Sequence, residues 1–260
     1  MQLISAPPTN TVGHLAADLL AGLDAVVFAE RAGIIADPWQ ADVLRSSAPR
    51  MLLNASRQSG KSTTTAIIAL HTAIYTPGSL ILLLSPSLRQ SAELFRTLAG
   101  VYNRIGATVP SKAESNLRLE LENGSRIISL PASEATVRGF AGVSCLIIDE
   151  ASRVKDELYS AVRPMLATSG GRLIALSTPF GNRGWWYEAW RSIDAWERYE
   201  VPAPMCPRIP AVFLAEERRN LGEWWFTQEY LCTFLDAQSA AFRTEDIHRA
   251  LTEGLETWAL

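Results

Sequence analysis

Little in this 260-residue chain is suited to cross-linking or to metal capture. Its three cysteines, Cys145, Cys206 and Cys232, have no paired spacing. An odd and sparse count argues against a disulfide framework and suits a reducing compartment. Cys145 lies in an apolar run, where a buried free thiol is the plain reading. The three histidines, His14, His71 and His248, are too far apart for metal-ligand spacing. No apolar run approaches the ~18 residues that cross a membrane. The N-terminus has no basic start, and Asp18 and Asp24 interrupt its apolar stretch, so a signal peptide is not expected. Internal repeats and low-complexity tracts are missing too. The formal net charge is −3, which exerts no global pull toward nucleic acid, so any such contact must be a local patch. What remains is a cytoplasmic, non-membrane globular chain, long enough for one large core or for a domain plus a small appendage.

Against these absences, one stretch carries chemistry. In residues 51–68, MLLNASRQSGKSTTTAII, an apolar run leads into a short polar loop ending in Gly60-Lys61-Ser62. A helical pattern follows, with Ile67, Leu70 and Ile74 on one face. Strand, loop, Gly-Lys-Ser, helix is the order a phosphate-binding loop requires. The backbone N–H groups of Ser56, Arg57, Gln58, Ser59, Gly60 and Thr63 are placed to cradle phosphates, the Lys61 ammonium to reach the terminal ones, and the Ser62 hydroxyl to bind Mg²⁺. The usual motif opens with Gly where this chain has Ala55. Taken alone, Gly-Lys-Ser is equally a surface helix cap.

The rest of the chain supplies a matching scaffold. Residues 14–31 read as one amphipathic helix, and Asp37-Pro38-Trp39-Gln40 opens another. Residues 80–84, 145–148 and 173–176 are wholly apolar runs, as parallel strands buried on both faces require. They end in Ser85-Pro86-Ser87, Asp149-Glu150 and Ser177-Thr178-Pro179. The carboxyl edge of an open α/β sheet is where ligands bind, so these clusters are the expected active-site rim. Residues 117–121 and 126–130 flank Asn123-Gly124, a hairpin signal. Residues 88–104 read as helix, 184–196 as an aromatic-rich helix, and 197–201 as a short strand. Four prolines, Pro202, Pro204, Pro207 and Pro210, mark a boundary between an ATPase core (1–201) and a helical appendage (202–260). Helices are expected over 211–221 and 222–234, and a last one after Thr244-Glu245-Asp246.

Asp149 follows a buried strand, where a carboxylate holds Mg²⁺ opposite Ser62, and Glu150 is placed to activate water for attack on a γ-phosphate. A solvated acidic pair is the alternative, weakened because the two motifs occur in the right order on the right elements. Gln40 offers the donor and acceptor that read an adenine edge, or is an ordinary exposed Gln. Arg57 lies within the loop, where a guanidinium contacts the γ-phosphate or is merely solvated. Arg138, on a glycine-containing loop, reads as an arginine finger or a surface ion pair. Thr178 either relays hydrolysis or closes a strand-end turn. Trp185, Trp186, Trp190, Trp224 and Trp225 suit packing better than base stacking.

Trp39-Gln40, Ser56-Arg57-Gln58-Ser59-Gly60-Lys61-Ser62, the hairpin at Asn123-Gly124, Arg138-Gly139, the run Leu146-Ile147-Ile148-Asp149-Glu150-Ala151 and Ser177-Thr178-Pro179 together resemble the large terminase subunit of tailed bacteriophages. A loop of the form Arg-Gln-x-Gly-Lys-Ser without the first Gly is typical of that family, so Ala55 becomes a family mark. The resemblance runs from about residue 37 to about 242. It implies a phosphate-loop NTPase of the additional-catalytic-Glu type, with a mostly parallel sheet flanked by helices. It implies a Mg²⁺-dependent ATPase that drives double-stranded DNA into a procapsid as a ring on the portal protein, with a small terminase subunit as partner, in the infected host's cytoplasm. It implies adenine contact for Gln40, phosphate contact for Arg57 and Lys61, Mg²⁺ for Ser62 and Asp149, catalysis for Glu150, hydrolysis coupling for Thr178 and a finger role for Arg138. No stretch supplies the strand-borne carboxylates of the nuclease that large terminases carry, so no nuclease activity is expected from these residues. A helicase-like translocase and a nucleotide-binding assembly scaffold are the alternatives.

Overall fold

The computed structural model of the chain describes residues 11–106, 108–137 and 139–236. Arg138, the 240–242 connector and the last expected helix lie outside the described residues. The chain opens with α1 (Thr11–Leu23), α2 (Ala25–Arg31), α3 (Pro38–Arg45), β1 (Arg50–Ala55) and α4 (Lys61–Tyr75). Then come β2 (Leu80–Ser85), α5 (Leu88–Arg104), β3 (Ser111–Ser115), β4 (Arg118–Leu121), β5 (Arg126–Pro131), α6 (Glu134–Val137) and β6 (Cys145–Asp149). It continues through α7 (Asp156–Val162), β7 (Arg172–Ser177), α8 (Gly184–Arg191), β8 (Glu197–Val201), α9 (Ala211–Leu221) and α10 (Glu223–Tyr230).

The strands form one eight-stranded sheet in the order β3-β4-β5-β2-β6-β7-β1-β8. From β5 to β8 every pairing is parallel, while β3 and β4 add an antiparallel edge. The continuous apolar runs sort by alternation, because successive side chains leave a strand on opposite faces. Met51, Leu53, Ile81, Leu83, Cys145, Ile147, Ile174 and Leu176 join a core under α2, α4 and α5. Leu52, Leu82, Leu84, Leu146, Ile148, Leu173 and Ala175 join a second core under α7 and α8. A sheet buried on both faces explains why these runs show no polar alternation. The hairpin forms as expected: β4 and β5 pair antiparallel across a turn in which Gly124 has φ +84°. Asn123 Nδ2 caps α4 by donating to the carbonyls of Ala73 and Ile74 at 2.8 and 3.1 Å.

Two expectations change. The single helix over 14–31 is two helices, because the Asp24 carboxylate accepts the Val26 N–H at 2.8 Å and caps a new helix. The aromatic helix stops at Arg191, five residues short of Trp196. There Arg198 donates to the carbonyls of Ala189, Trp190 and Ser192, taking up groups that a continuing helix would have used. The all-exposed edge strand β3 and the short helix α7 were not expected.

Candidate active site

The carboxyl ends of β1, β6 and β7 are neighbours in the sheet, so the loop after β1, the acids after β6 and the hydroxyls after β7 meet at one edge. The 56–60 loop is internally braced. Ser56 N–H donates to Val201 O at 3.0 Å, and Ser59 Oγ donates to Ser56 O at 2.9 Å. Gln58 and Gly60 take left-handed backbone, φ +58° and +96°, which bends the chain back into the N-terminus of α4. A left-handed non-glycine residue is strained, and such strain persists where surrounding contacts over-determine it.

Lys61 is buried, with its ammonium 3.7 Å from Glu150 Oε1. Glu150 also sits in left-handed backbone, φ +49°. Its N–H donates to Asp149 Oδ1 at 3.0 Å. Burial, and secondarily the Glu150 charge, pushes the Asp149 carboxyl up to about 6, with Lys61 acting against the shift. Ser62, Asp149, Glu150 and Gln90 line one cavity of about 200 Å³. The residues present suit the Mg²⁺ that the resemblance implies. Ser62 and Asp149 are hard oxygen donors facing the same cavity, and no group of three or more His, Cys, Asp or Glu that could hold a metal occurs among the described residues. Two protein ligands completed by phosphate oxygens and water is how Mg²⁺ is usually held at a nucleotide.

The remaining candidates are placed as follows. Ser177 Oγ shares a 2.7 Å hydrogen bond with Ser152 Oγ, on the turn directly after Glu150, and Thr178 beside it is buried. The Gln40 amide is buried and engaged at both ends. Its Oε1 accepts the Asp37 N–H and its Nε2 donates to Thr64 Oγ1 on α4, each at 2.9 Å. The Arg57 guanidinium is turned onto α10, donating from Nε to Glu229 Oε2 at 2.7 Å. Trp185 and Trp186 are buried and Trp190 packs on the same core, but Trp225 is 43% exposed. Trp225 shares a cleft of about 480 Å³ with Arg57, Arg153, Phe180 and Tyr230.

Sequence reasoning missed three groups. Arg208 donates to the Ser59 carbonyl at 2.8 Å and to Asp37 Oδ1 at 2.9 Å. Glu229 is buried under Arg57. Asn54 Nδ2, at the end of β1, donates to Cys232 O at 2.7 Å. The one signal for Arg208 was its place among the prolines of 202–210, which stiffen a connector leading away from β8.

A mostly parallel sheet with a phosphate-type loop after β1, and an acidic pair ending a buried strand two places along, is the architecture of a phosphate-loop NTPase. The family model described as terminase large subunit, T4likevirus-type, N-terminal, matches residues 52–249, and the chain belongs to that family. The terminase large subunit of Thermus phage G20c is 27% identical over 168 residues, which is 57% of this chain and 34% of that protein. The chain thus spans about a third of that relative's length. The large terminase ATPase domain of Thermus phage P74-26 has the same fold, with a TM-score of 0.68 at 24% identity over 80% of this chain and 97% of that one. A large terminase from a thermophilic bacteriophage, solved with ATP-gamma-S, aligns with a TM-score of 0.61 at 11% identity over 76% of this chain and 52% of that one.

Proposed function

We propose that the chain hydrolyses ATP with Mg²⁺ and so drives double-stranded DNA into a procapsid. The convergence of Lys61, Ser62, Asp149 and Glu150 on one edge of the sheet carries this reading. In it, the backbone N–H groups of residues 56–63 hold the phosphates, and Lys61 leaves Glu150 to meet the terminal ones. Ser62 and Asp149 hold Mg²⁺, which supplies charge neutralisation at the phosphate oxygens. Freed from Lys61, the Glu150 carboxylate takes the proton of the attacking water. Thr178, joined through Ser177 and Ser152 to the turn after Glu150, passes the change at the γ-phosphate into β7. Gln40 ties α3 to α4 beside the loop and keeps a second Nε2 proton for an adenine edge. Arg138 is assigned the finger role from its motif alone.

The segment from 202 onward is read as a linker and lid. Its contacts through Glu229 and Cys232 tie it to the loop and to β1, which supports its reading as a part that communicates with the nucleotide edge. A homo-oligomeric ring, the portal protein and a small terminase subunit follow as partners from the family.

The test is phosphate release by the purified chain, with and without Mg²⁺. Glu150→Gln is expected to lower turnover by about 10²–10³-fold while nucleotide binding persists. Unchanged turnover would remove Glu150 from the chemistry, and no release by the wild type, even with procapsids and linear DNA, would overturn the reading.

A further inference from the structure

Arg208 touches the phosphate loop although it is 149 residues away in sequence. Its Nη2 donates to the Ser59 carbonyl at 2.8 Å, and its Nη1 pairs with Asp37 Oδ1 at 2.9 Å. A Cβ built on Gly60 would lie 3.0 Å from Arg208 Nη2 and 3.0 Å from Gln40 Nε2. The guanidinium and the Gln40 amide are thus packed against the one loop residue whose φ of +96° and missing side chain let both approach. The Asp37 carboxylate is nearly buried, so Arg208 is held at a fixed point and not merely lying on the surface.

The consequence follows from peptide geometry. In a trans peptide the C=O and N–H point to opposite sides. With the Ser59 carbonyl held on Arg208, the Gly60 N–H must face away from Arg208. We propose that Arg208 is a positioning residue of the phosphate loop: by holding the Ser59–Gly60 peptide it aims the Gly60 N–H at the nucleotide phosphates. Without that hold the peptide can turn over and present a carbonyl oxygen, which repels a phosphate. The fork geometry of guanidinium serves two acceptors at once, which an ammonium cannot do in the same way. Asp37 and Gln40, both at the start of α3, are the fixed frame for this device. The inference rests on the reading of the loop as a nucleotide site.

The experiment measures binding of a fluorescent ATP analogue, steady-state ATPase kinetics and thermal melting on the same chain. Arg208→Ala is expected to weaken nucleotide binding and raise KM about tenfold, the size of one charge-assisted hydrogen bond, with kcat changed by less than about twofold. The melting temperature is expected to fall, because the Asp37 carboxylate, 10% exposed, loses its partner, and to recover in Arg208→Ala/Asp37→Asn, whose affinity stays low. Arg208→Lys is expected to recover part of the affinity. Asp37→Asn is expected to lower affinity less than Arg208→Ala, and to add little when combined with it. Affinity within twofold of wild type for Arg208→Ala overturns the proposal. So does a loss of affinity matched by an equal loss in kcat, which would mark a general structural brace. If Arg208→Ala does not fold, Arg208→Lys and Asp37→Asn decide by the same split between KM and kcat. Lys61→Ala separates the two failures. If wild type binds nucleotide no better than Lys61→Ala, the site reading itself fails. If wild type binds and Arg208→Ala binds equally, only the role of Arg208 fails.

Discussion

Arg57 in the phosphate loop donates to the buried carboxylate of Glu229 on α10 at 2.7 Å, and the Arg57 N–H reaches the Glu229 carbonyl at 3.3 Å. The loop and α10 are therefore joined through one residue from each. The guanidinium assigned from sequence to the γ-phosphate already has an anion on Nε, so a phosphate would share it with Glu229.

The two partners are unequally exposed, 59% for the Arg57 side chain and 7% for Glu229. Removing Arg57 strands a buried carboxylate, whereas removing Glu229 returns Arg57 to water. Arg57→Ala is accordingly expected to destabilise by about 2 kcal/mol and Glu229→Gln by about 1 kcal/mol or less. The double variant should recover part of the loss from Arg57→Ala. Urea unfolding of the three variants measures this, and equal costs for both single changes would contradict it.

The raised Asp149 carboxyl gives stability a pH dependence of definite sign. Its folded value of about 6 lies above the ordinary aspartate value of 3.8, so the folded state binds the proton more tightly than the unfolded state. The Asp149 contribution is then most favourable below about 4, falls as pH rises through the window from about 4 to 6, and costs about 3 kcal/mol above it. Asp149→Asn should remove this fall and melt higher than wild type at pH 7, while losing Mg²⁺-supported turnover. In the wild type, apparent Mg²⁺ affinity should weaken as pH drops through about 6. Parallel melting curves for Asp149→Asn and wild type from pH 4 to 8 would contradict the assignment.

Glu150 holds left-handed backbone, which glycine adopts freely and alanine does not. Both Glu150→Gly and Glu150→Ala remove the carboxylate and the contact to Lys61, so their difference isolates the backbone. Glu150→Gly is expected to be about 1 kcal/mol more stable than Glu150→Ala, with both inactive. Thermal melting settles the order, and a more stable alanine variant would place the strain elsewhere.

Gly171 precedes β7 with no room for a side chain: a Cβ there would lie 2.0 Å from the Val143 carbonyl oxygen and 3.0 Å from that of Ser144. The nearest atom, at 2.0 Å, is backbone and cannot swing aside. Gly171→Ala is expected to cost about 3 kcal/mol, seen as a lowered denaturation midpoint, although the position is far from the nucleotide edge. A cost under about 1 kcal/mol would mean that the 143–144 segment yields easily.

The sheet and the reactive edge were legible in the sequence because their signals are local. The apolar runs at 80–84, 145–148 and 173–176 can only be satisfied between two layers of helices, and each ends in polar residues at the same edge. Asn123-Gly124 announced its hairpin through the backbone that glycine permits. The strand β3 was not legible because all five of its residues are exposed and carry no alternation. The break at Asp24 was missed because apolar periodicity continues across it while the capping carboxylate ends one helix and starts the next.

The order of loop, helix, strand and acidic pair was determined by the sequence itself, since each part is specified by neighbours within a few residues. The partners of Arg57 and Arg208 were decided only by the tertiary structure. Glu229 lies 172 residues from Arg57, and Ser59 lies 149 from Arg208. Among 24 basic and 27 acidic side chains no composition or spacing selects such pairs. They are chosen by where the parallel crossovers and the proline-rich connector deliver each segment, which brings the last described helix and the segment after the last described strand back onto the phosphate loop.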